Sequence, residues 1–485
     1  MLRPLFPYQV PAWEYLRTRD RVALFMKMRL GKTILTIRWA KHRLALTSSG
    51  EGFILIVAPL SVLSGWKDEL ALEGETATLL VGSSHQKLAL LENTESRWIL
   101  CNPEGIVACP GLAKCITWDC VILDEAASFL TNPKAQFTKL VKKEFANVRC
   151  KAVLDGEPRA EHDLEFFELF HFLHGELLGC KTWYHFRHRF FHRLGFDWEP
   201  RKKDFKTKLR GEVRRLAFVL SAREAGVVFD TVYERRYVRL TPRNYERYRE
   251  ARRSFAFDDV ETKLAITVVG WLTRLAGGLL ARKGEPKPFS THKIDELEYL
   301  VSERHFGESL VVWFRYTDEI RFCRERLEKR GICLRSITGR TPLVLRAAYI
   351  KAFNDRRIRV LLVQTKCARF GLDFRAANLS IFFSNWWDWR SRAQAEARIQ
   401  HPTKVGQTLR YIDLITEKTY DEAVVEALHD KKQSSRFFIR KVLVKHAALN
   451  RSRRKDDGDG RTPSHTLRAG GNRSSSCRGL GSKRS

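Results

Sequence analysis

A chain of 485 residues with 44% apolar and 11% aromatic content holds material for more than one packed core, which excludes a disordered or fibrous polypeptide. With 87 Lys and Arg against 56 Asp and Glu, the formal charge is +31 and the pI near 10.0. Such a surface disfavours cationic partners and favours a polyanion, nucleic acid first; an excess that merely solubilises the chain or sits in a tail is the competing reading. No run of about 18 apolar residues occurs, since Leu264 to Leu280 is broken by Thr267, Thr273 and Arg274, so no membrane span is expected. The N-terminal stretch Met1 to Gln9 has no apolar signal region, so the chain is expected to stay in a reducing cytoplasm with its 10 cysteines as thiols.

Taken in chain order, apolar runs of strand length recur with helix-length stretches between them. Val22–Met26, Phe53–Val57, Trp98–Cys101, Cys120–Leu123 and Ala152–Leu154 come first; Leu310–Phe314, Cys333–Ile337, Val360–Val363, Leu379–Phe383 and Leu409–Ile415 follow. Runs apolar on both faces fit parallel strands covered by helices, so the expected class is α/β, with two parallel-sheet domains over 1–170 and 301–445. Between them, 171–300 loses the strand rhythm and reads as a helical insertion and linker. Beyond 445, the Arg-, Ser- and Gly-rich segment 446–485 reads as a disordered basic tail, because it cannot bury enough surface to offset its chain entropy.

Several side-chain clusters invite chemistry and lose to simpler readings. Cys101, Cys109, Cys115 and Cys120 lack the two-residue spacing of paired zinc thiolates and read as small buried hydrophobes. Cys180, His185, His188 and His192, interleaved with Phe186, Arg187, Arg189, Phe190 and Phe191, read as a basic aromatic face rather than a metal site. The stripe Arg201, Lys202, Lys203, Lys206, Lys208, Arg210, Arg214 and Arg215 fits a solvated face and a DNA-contacting one equally. Asp258-Asp259-Val260-Glu261-Thr262-Lys263 reads as a charged helix start, not a nuclease site.

Two motifs carry chemistry. After the Val22–Met26 run, Leu30-Gly31-Lys32-Thr33 should form a loop and helix N-terminus that cradle phosphates, with Lys32 on the β/γ-phosphates and Thr33 on Mg²⁺. Alone this triplet is weak, and Met26 replaces the first glycine of the full pattern. It gains weight from the apolar strand that delivers Asp124-Glu125 about ninety residues later, where an open parallel sheet binds its ligands. Asp124 is suited to hold Mg²⁺, and Glu125 to orient and deprotonate the attacking water.

With these motifs the chain resembles superfamily 2 helicase-like ATPases, most closely the Swi/Snf remodeller-type branch, including its compact phage forms. The resemblance runs from about residue 3 to 430. Its first half comprises Phe6-Pro7-Tyr8-Gln9, Met28-Arg29-Leu30-Gly31-Lys32-Thr33, Ile56 to Trp66, Asn102-Pro103-Glu104-Gly105, Asp124-Glu125-Ala126-Ala127, Asn132-Pro133-Lys134 and Gly156-Glu157-Pro158. Its second half comprises Val312-Trp313-Phe314, Ile337 to Pro342, Gly371-Leu372-Asp373 and Gln394-Ala395-Glu396-Ala397-Arg398. The resemblance implies two RecA-like domains with ATP and Mg²⁺ between them, Gln9 on adenine, and Pro59, Ser61 and Asn102 near a DNA backbone. Gly371, Asp373, Gln394 and Arg398 would complete the cleft from the second domain, and the motor would walk along duplex DNA.

A cation reaching across such a cleft stabilises the phosphoryl-transfer transition state, and Arg398 is the candidate. The chain departs from the family pattern at Lys27 (commonly an acid), Arg29 (glycine), Ala127 (often histidine), Glu157 (threonine) and His401 (a second arginine). Three activities fit: a DNA-stimulated ATPase translocating on duplex, an ATP-gated nucleic-acid-binding module with weak or lost hydrolysis, and a strand-separating helicase.

Overall fold

The computed structural model of the chain describes residues 3–46, 52–60, 62–156, 163–194, 197–254, 262–280, 287–370 and 372–429. The first sheet takes six strands from the N-terminal part: β1 (Arg21–Met26), β2 (Phe53–Val57), β3 (Ala77–Leu79), β4 (Trp98–Cys101), β5 (Trp118–Asp124) and β6 (Cys150–Asp155). A basic appendage follows, made of the helix Trp183–Phe190, the antiparallel hairpin β7 (Phe191–Leu194) and β8 (Asp197–Pro200), and the helix Phe205–Leu216. The chain then adds β9 (Ala217–Leu220) to the first sheet beside β1, completing the order β3-β4-β2-β5-β6-β1-β9 with every pairing parallel.

The next strand, β10 (Asp230–Val238), already belongs to the second sheet. A short hairpin, β11 (Leu279–Leu280) and β12 (Lys287–Pro288), precedes β13 (Leu310–Phe314), β14 (Leu334–Ile337), β15 (Val360–Gln364), β16 (Leu379–Phe382) and β17 (Thr408–Thr416). The second sheet runs β10-β17-β16-β13-β15-β14, again parallel throughout.

Strand periodicity explains how each sheet buries both faces. In the first, Ala23, Phe25, Leu55, Val57, Ile99, Val121 and Leu123 pack into one core, while their neighbours Val22, Leu24, Ile54, Ile56, Leu100, Cys120 and Ile122 pack into another. The second sheet repeats this, with Leu310, Val312, Phe314 and Leu362 on one face and Val311, Trp313, Leu361 and Val363 on the other. Burying each of the Val, Leu, Ile and Phe side chains contributes about 1.5–3 kcal/mol, so each sheet is a slab with a core on both of its faces. Phe229, on the connection between β9 and β10, packs against a core cluster of each slab. No helix among the described residues is long and apolar enough to cross a membrane.

One expectation is corrected. The stretch 171–300 is not uniformly helical: β9 and β10 lie within it and belong to the two sheets. In β10 the sequence Asp230-Thr231-Val232-Tyr233-Glu234-Arg235-Arg236-Tyr237-Val238 is largely exposed, as befits an edge strand, and it lacks the continuous apolar run by which inner strands are recognised. Ion pairs of Arg304 with Glu234 and of Arg236 with Glu296 hold it. The charged run Asp258 to Glu261 and the tail 446–485 lie outside the described residues.

Cys101, Cys109 and Cys120 are buried among apolar side chains, whereas Cys115 is exposed. Burial pushes the Cys101 thiol up to about 12. In the appendage, Phe186, Phe190, Phe191 and Phe205 form a ring cluster with centroids 4.9–6.1 Å apart. The Arg187 guanidinium lies 4.2–5.4 Å from the rings of Trp183, Tyr184 and Trp198. The phenylalanines of this region therefore make a core, against which Arg187 is half-buried, while His185, His188 and Arg189 are exposed.

Candidate nucleotide cleft and nucleic-acid interface

Parallel strands all end at the same edge, so the loops after β1, β2, β4, β5 and β6 are gathered there. The loop after β1 turns through Arg29 and Gly31, both with positive φ (67° and 83°), before the helix Lys32–Ala45 begins. Gly31 has no room for a side chain: a Cβ would lie 2.0 Å from the Gln9 Nε2. Gln9, 3% exposed, donates from Nε2 to the Leu30 carbonyl at 2.9 Å and accepts the Phe6 amide on Oε1 at 2.9 Å. Its Nε2 thus braces the loop, while its Oε1 ties the side chain to its own N-terminal turn. Lys32 donates from Nζ to the Met26 carbonyl at 2.9 Å, which folds the side chain back over the loop, and Thr33 lies half-buried in the first helical turn.

At the end of β5, Asp124 is 6% exposed. Its Oδ2 accepts the Trp66 indole N–H at 2.8 Å and its Oδ1 the Glu125 amide at 2.9 Å. Burial, reinforced by the neighbouring Glu125 charge and opposed by Lys32, pushes the Asp124 carboxyl up to about 6. Glu125 adopts a left-handed backbone (φ 55°), a conformation disfavoured for side chains of its size and held here by the Asp124 carboxylate on its amide. Asp155, at the end of β6, accepts the Ala127 amide at 3.1 Å and fixes the turn after Glu125.

From the second slab, Arg398 follows the helix Trp389–Ala397 and is 7% exposed. Burial first and Arg29 second push its pKa down to about 10, with Glu125 and Asp373 acting the other way; Arg398 therefore stays charged near neutrality, within the electrostatic reach of Glu125 on the opposite slab. Asp373 pairs with Arg29 across the cleft at 2.7 Å. Gln394 lies on the same helix, half-buried, with Oε1 lacking a hydrogen-bond partner among the described residues. His401 caps a short turn, Pro402–Lys404, its Nδ1 accepting the Thr403 amide at 3.3 Å. Burial lowers its pKa, so the ring is neutral near pH 7.

Of the residues placed near nucleic acid by resemblance, Pro59 follows β2 and Asn102 follows β4, at the same sheet edge as the phosphate loop. Asn102 donates from Nδ2 to the Glu104 carboxylate at 2.6 Å. Ser61, Glu157 and Gly371 lie outside the described residues. Trp66, Asp155 and Arg29 contribute contacts that sequence reasoning gave no role. Trp66 offered a signal, because a tryptophan in an apolar helix needs a partner for its N–H; Arg29 offered another, a long cation inside a phosphate loop.

Two parallel-sheet slabs with a phosphate loop, an Asp-Glu strand end and a cross-cleft arginine define a two-lobed helicase-like protein. Residues 8–265 match the SNF2-related domain and residues 292–402 the helicase conserved C-terminal domain; the first alone covers more than half of the chain, which belongs to the SNF2-related family. Among curated proteins, a Mycoplasma pneumoniae protein named uncharacterized ATP-dependent helicase is 23% identical over 435 residues, spanning 86% of this chain and 40% of the relative. The Mus musculus chromodomain-helicase-DNA-binding protein 1-like is 24% identical over 441 residues, 85% of this chain and 47% of its own. The chain therefore spans less than half the length of these relatives. Similar solved structures include the Sulfolobus solfataricus SWI2/SNF2 ATPase core in complex with dsDNA, with TM-score 0.41 and 19% identity over 94% of this chain and 97% of that one. The Pyrococcus furiosus Hef helicase domain gives TM-score 0.49 and 14% identity over 88% and 98%.

Proposed function

We propose that the chain is an ATP-dependent, DNA-stimulated ATPase that translocates on duplex DNA. The observation that carries the reading is placement: Lys32 begins the helix after β1 and Asp124-Glu125 lie at the end of β5 at one sheet edge, and Arg29 of that loop reaches the Asp373 carboxylate and the Arg398 carbonyl of the second lobe. Groups of the charge needed for phosphoryl transfer thus gather at one cleft. Lys32 and the loop amides after Leu30 and Gly31 bind the phosphates, Glu125 takes the proton of the attacking water, and Arg398 balances charge developing on the transferred phosphoryl. Gln9 keeps its proposed place beside adenine; Gly371, Asp373 and Gln394 complete the site from the second lobe.

Thr33 and Asp124 would hold Mg²⁺, and the buried Asp124 carboxylate is a fitting donor because a nearby cation offsets its desolvation. When bound, Mg²⁺ supplies neutralisation of phosphate charge. Mg²⁺ keeps most of its ligands as phosphate oxygens and water, so two protein oxygens suffice for it here.

The nucleic-acid partner is supported by the charge of +31 and by the appendage. On its helix Phe205–Leu216, Phe205, Leu209 and Val213 face inward, so Lys206, Arg210 and Arg214 form an exposed stripe at four-residue spacing, about 12 Å long. Pro59, Ser61 and Asn102 are the proposed backbone contacts on the first lobe. Cytoplasmic residence belongs to the same reading.

A second reading, an ATP-gated nucleic-acid-binding module with weak hydrolysis, draws on His401, a neutral cap where the family pattern has a cation. The separating test is steady-state ATP hydrolysis without nucleic acid and with single-stranded DNA, duplex DNA or RNA, with Lys32→Ala as blank. Strong stimulation by duplex is the expected result. Duplex binding with hydrolysis no faster than the blank moves the protein to the second reading.

A further inference from the structure

Arg29 is the residue of the phosphate loop whose side chain leaves its own lobe. Its Nη1 pairs with the Asp373 carboxylate at 2.7 Å, and its Nη2 donates to the Leu372 carbonyl at 3.1 Å and to the Arg398 carbonyl at 2.9 Å. All three acceptors belong to the second lobe. They also form one junction, because the Arg398 carbonyl accepts the Phe374 amide at 2.9 Å and Asn354 Nδ2 donates to the Asp373 carbonyl at 2.9 Å. Gripping any one of these groups therefore holds the segment that carries Arg398.

The backbone points the same way. Arg29 has φ 67°, a conformation that favours glycine, in a loop whose other positive-φ residue is Gly31. A strained backbone persists where surrounding contacts over-determine it, and the hydrogen bonds of this guanidinium all cross the cleft. Arg29 and Arg398 are, moreover, like charges held near each other, with Asp373 paired to the first. An anionic phosphate entering the loop meets both.

We propose that Arg29 is a positioning residue: it clamps the Arg398 segment onto the phosphate loop, so that Arg398 is held in place for a phosphate that fills the loop. The positioning half rests on the ATPase reading above; the clamp itself does not. Arg29→Gly is the informative variant, because glycine accepts the backbone and removes only the clamp. Arg29→Lys keeps one charge but loses the planar fork that reaches two carbonyls and a carboxylate together.

The test combines duplex-stimulated kinetics of the full chain carrying Arg29→Gly, Arg29→Lys, Arg398→Ala or Arg29→Gly with Arg398→Ala, and small-angle scattering without nucleotide. Arg29→Gly should lower kcat by about tenfold or more with ATP KM changed less than about threefold, and cause no further loss in the Arg398→Ala background. Arg29→Lys should not restore kcat, and the radius of gyration should rise in Arg29→Gly. Multiplicative losses in the double variant, an effect confined to KM, or wild-type kcat in Arg29→Gly would overturn the positioning role. Wild-type kcat in Arg398→Ala alone would instead remove Arg398 from the chemistry and the positioning role with it. Scattering reads the clamp independently: an unchanged radius of gyration overturns it, even for a wild type that hydrolyses nothing.

Discussion

Asp124 and Glu125 are adjacent in sequence but differ in what surrounds them. The first is buried and tied to Trp66 and an amide; the second is half-buried with its backbone twisted into the left-handed region. That division suits a metal-holding carboxylate beside one that handles water. Glu125→Gln should still bind ATP with hydrolysis reduced by about a hundredfold or more, read by nucleotide binding and single-turnover kinetics; normal turnover would remove Glu125 as the base. His401 makes a contrary prediction. Its Nδ1 is engaged by Thr403 and its ring is neutral, so its structural part is that of a turn cap. His401→Arg should leave the ATPase rate unchanged and cost about 1 kcal/mol in denaturant unfolding; a large rate gain would show that the cleft lacks a cation there.

At the scale of elements, the inner strands were legible because burial on both faces writes a continuous apolar run. The runs at 53–57, 98–101 and 310–314 match β2, β4 and β13 to the residue. The edge strands β3 and β10 were not legible: β3 is three residues long, and β10 is largely exposed and carries Asp230, Glu234, Arg235 and Arg236, whereas the edge strand β14 lies within the run 333–337. In the candidate site, the positions of Lys32, Asp124 and Glu125 at the sheet edge followed from strand and spacing. The contacts of Arg29 and Trp66 did not, since a partner hundreds or tens of residues away leaves no local pattern.

The second lobe also carries a titration written by burial. His292, at the start of the helix His292–Tyr299, packs with Nε2 near the Ala276 carbonyl and the Thr416 hydroxyl. Burial, and less so Lys293, push its pKa down to about 3 from 6.5. The folded state therefore resists protonation that the unfolded state accepts, so this contribution is complete above pH 6.5 and lost as pH falls toward 3. His292→Gln should flatten the acid side of the melting-temperature profile between those limits, where wild type loses up to about 1.4 kcal/mol per pH unit from this group. An unaltered profile would show that His292 titrates as it does in water.

For the whole molecule, two slabs joined through β9, Phe229 and β10 meet across a cleft bridged by Arg29, and a basic appendage exposes Lys206, Arg210 and Arg214. Duplex affinity should fall steeply with salt, and replacing Lys206, Arg210 and Arg214 together by Ala should reduce the slope of log K against log salt by about 2 to 3 if all three meet phosphates. An unchanged slope would return the stripe to a solvated face. The central claim is movement along duplex, and displacement of a third strand from a DNA triplex reads it directly. The wild type should displace the triplex in an ATP-dependent manner, Glu125→Gln should not, and a forked duplex should stay unseparated. Duplex-stimulated hydrolysis without triplex displacement, or efficient unwinding of the fork, would contradict it.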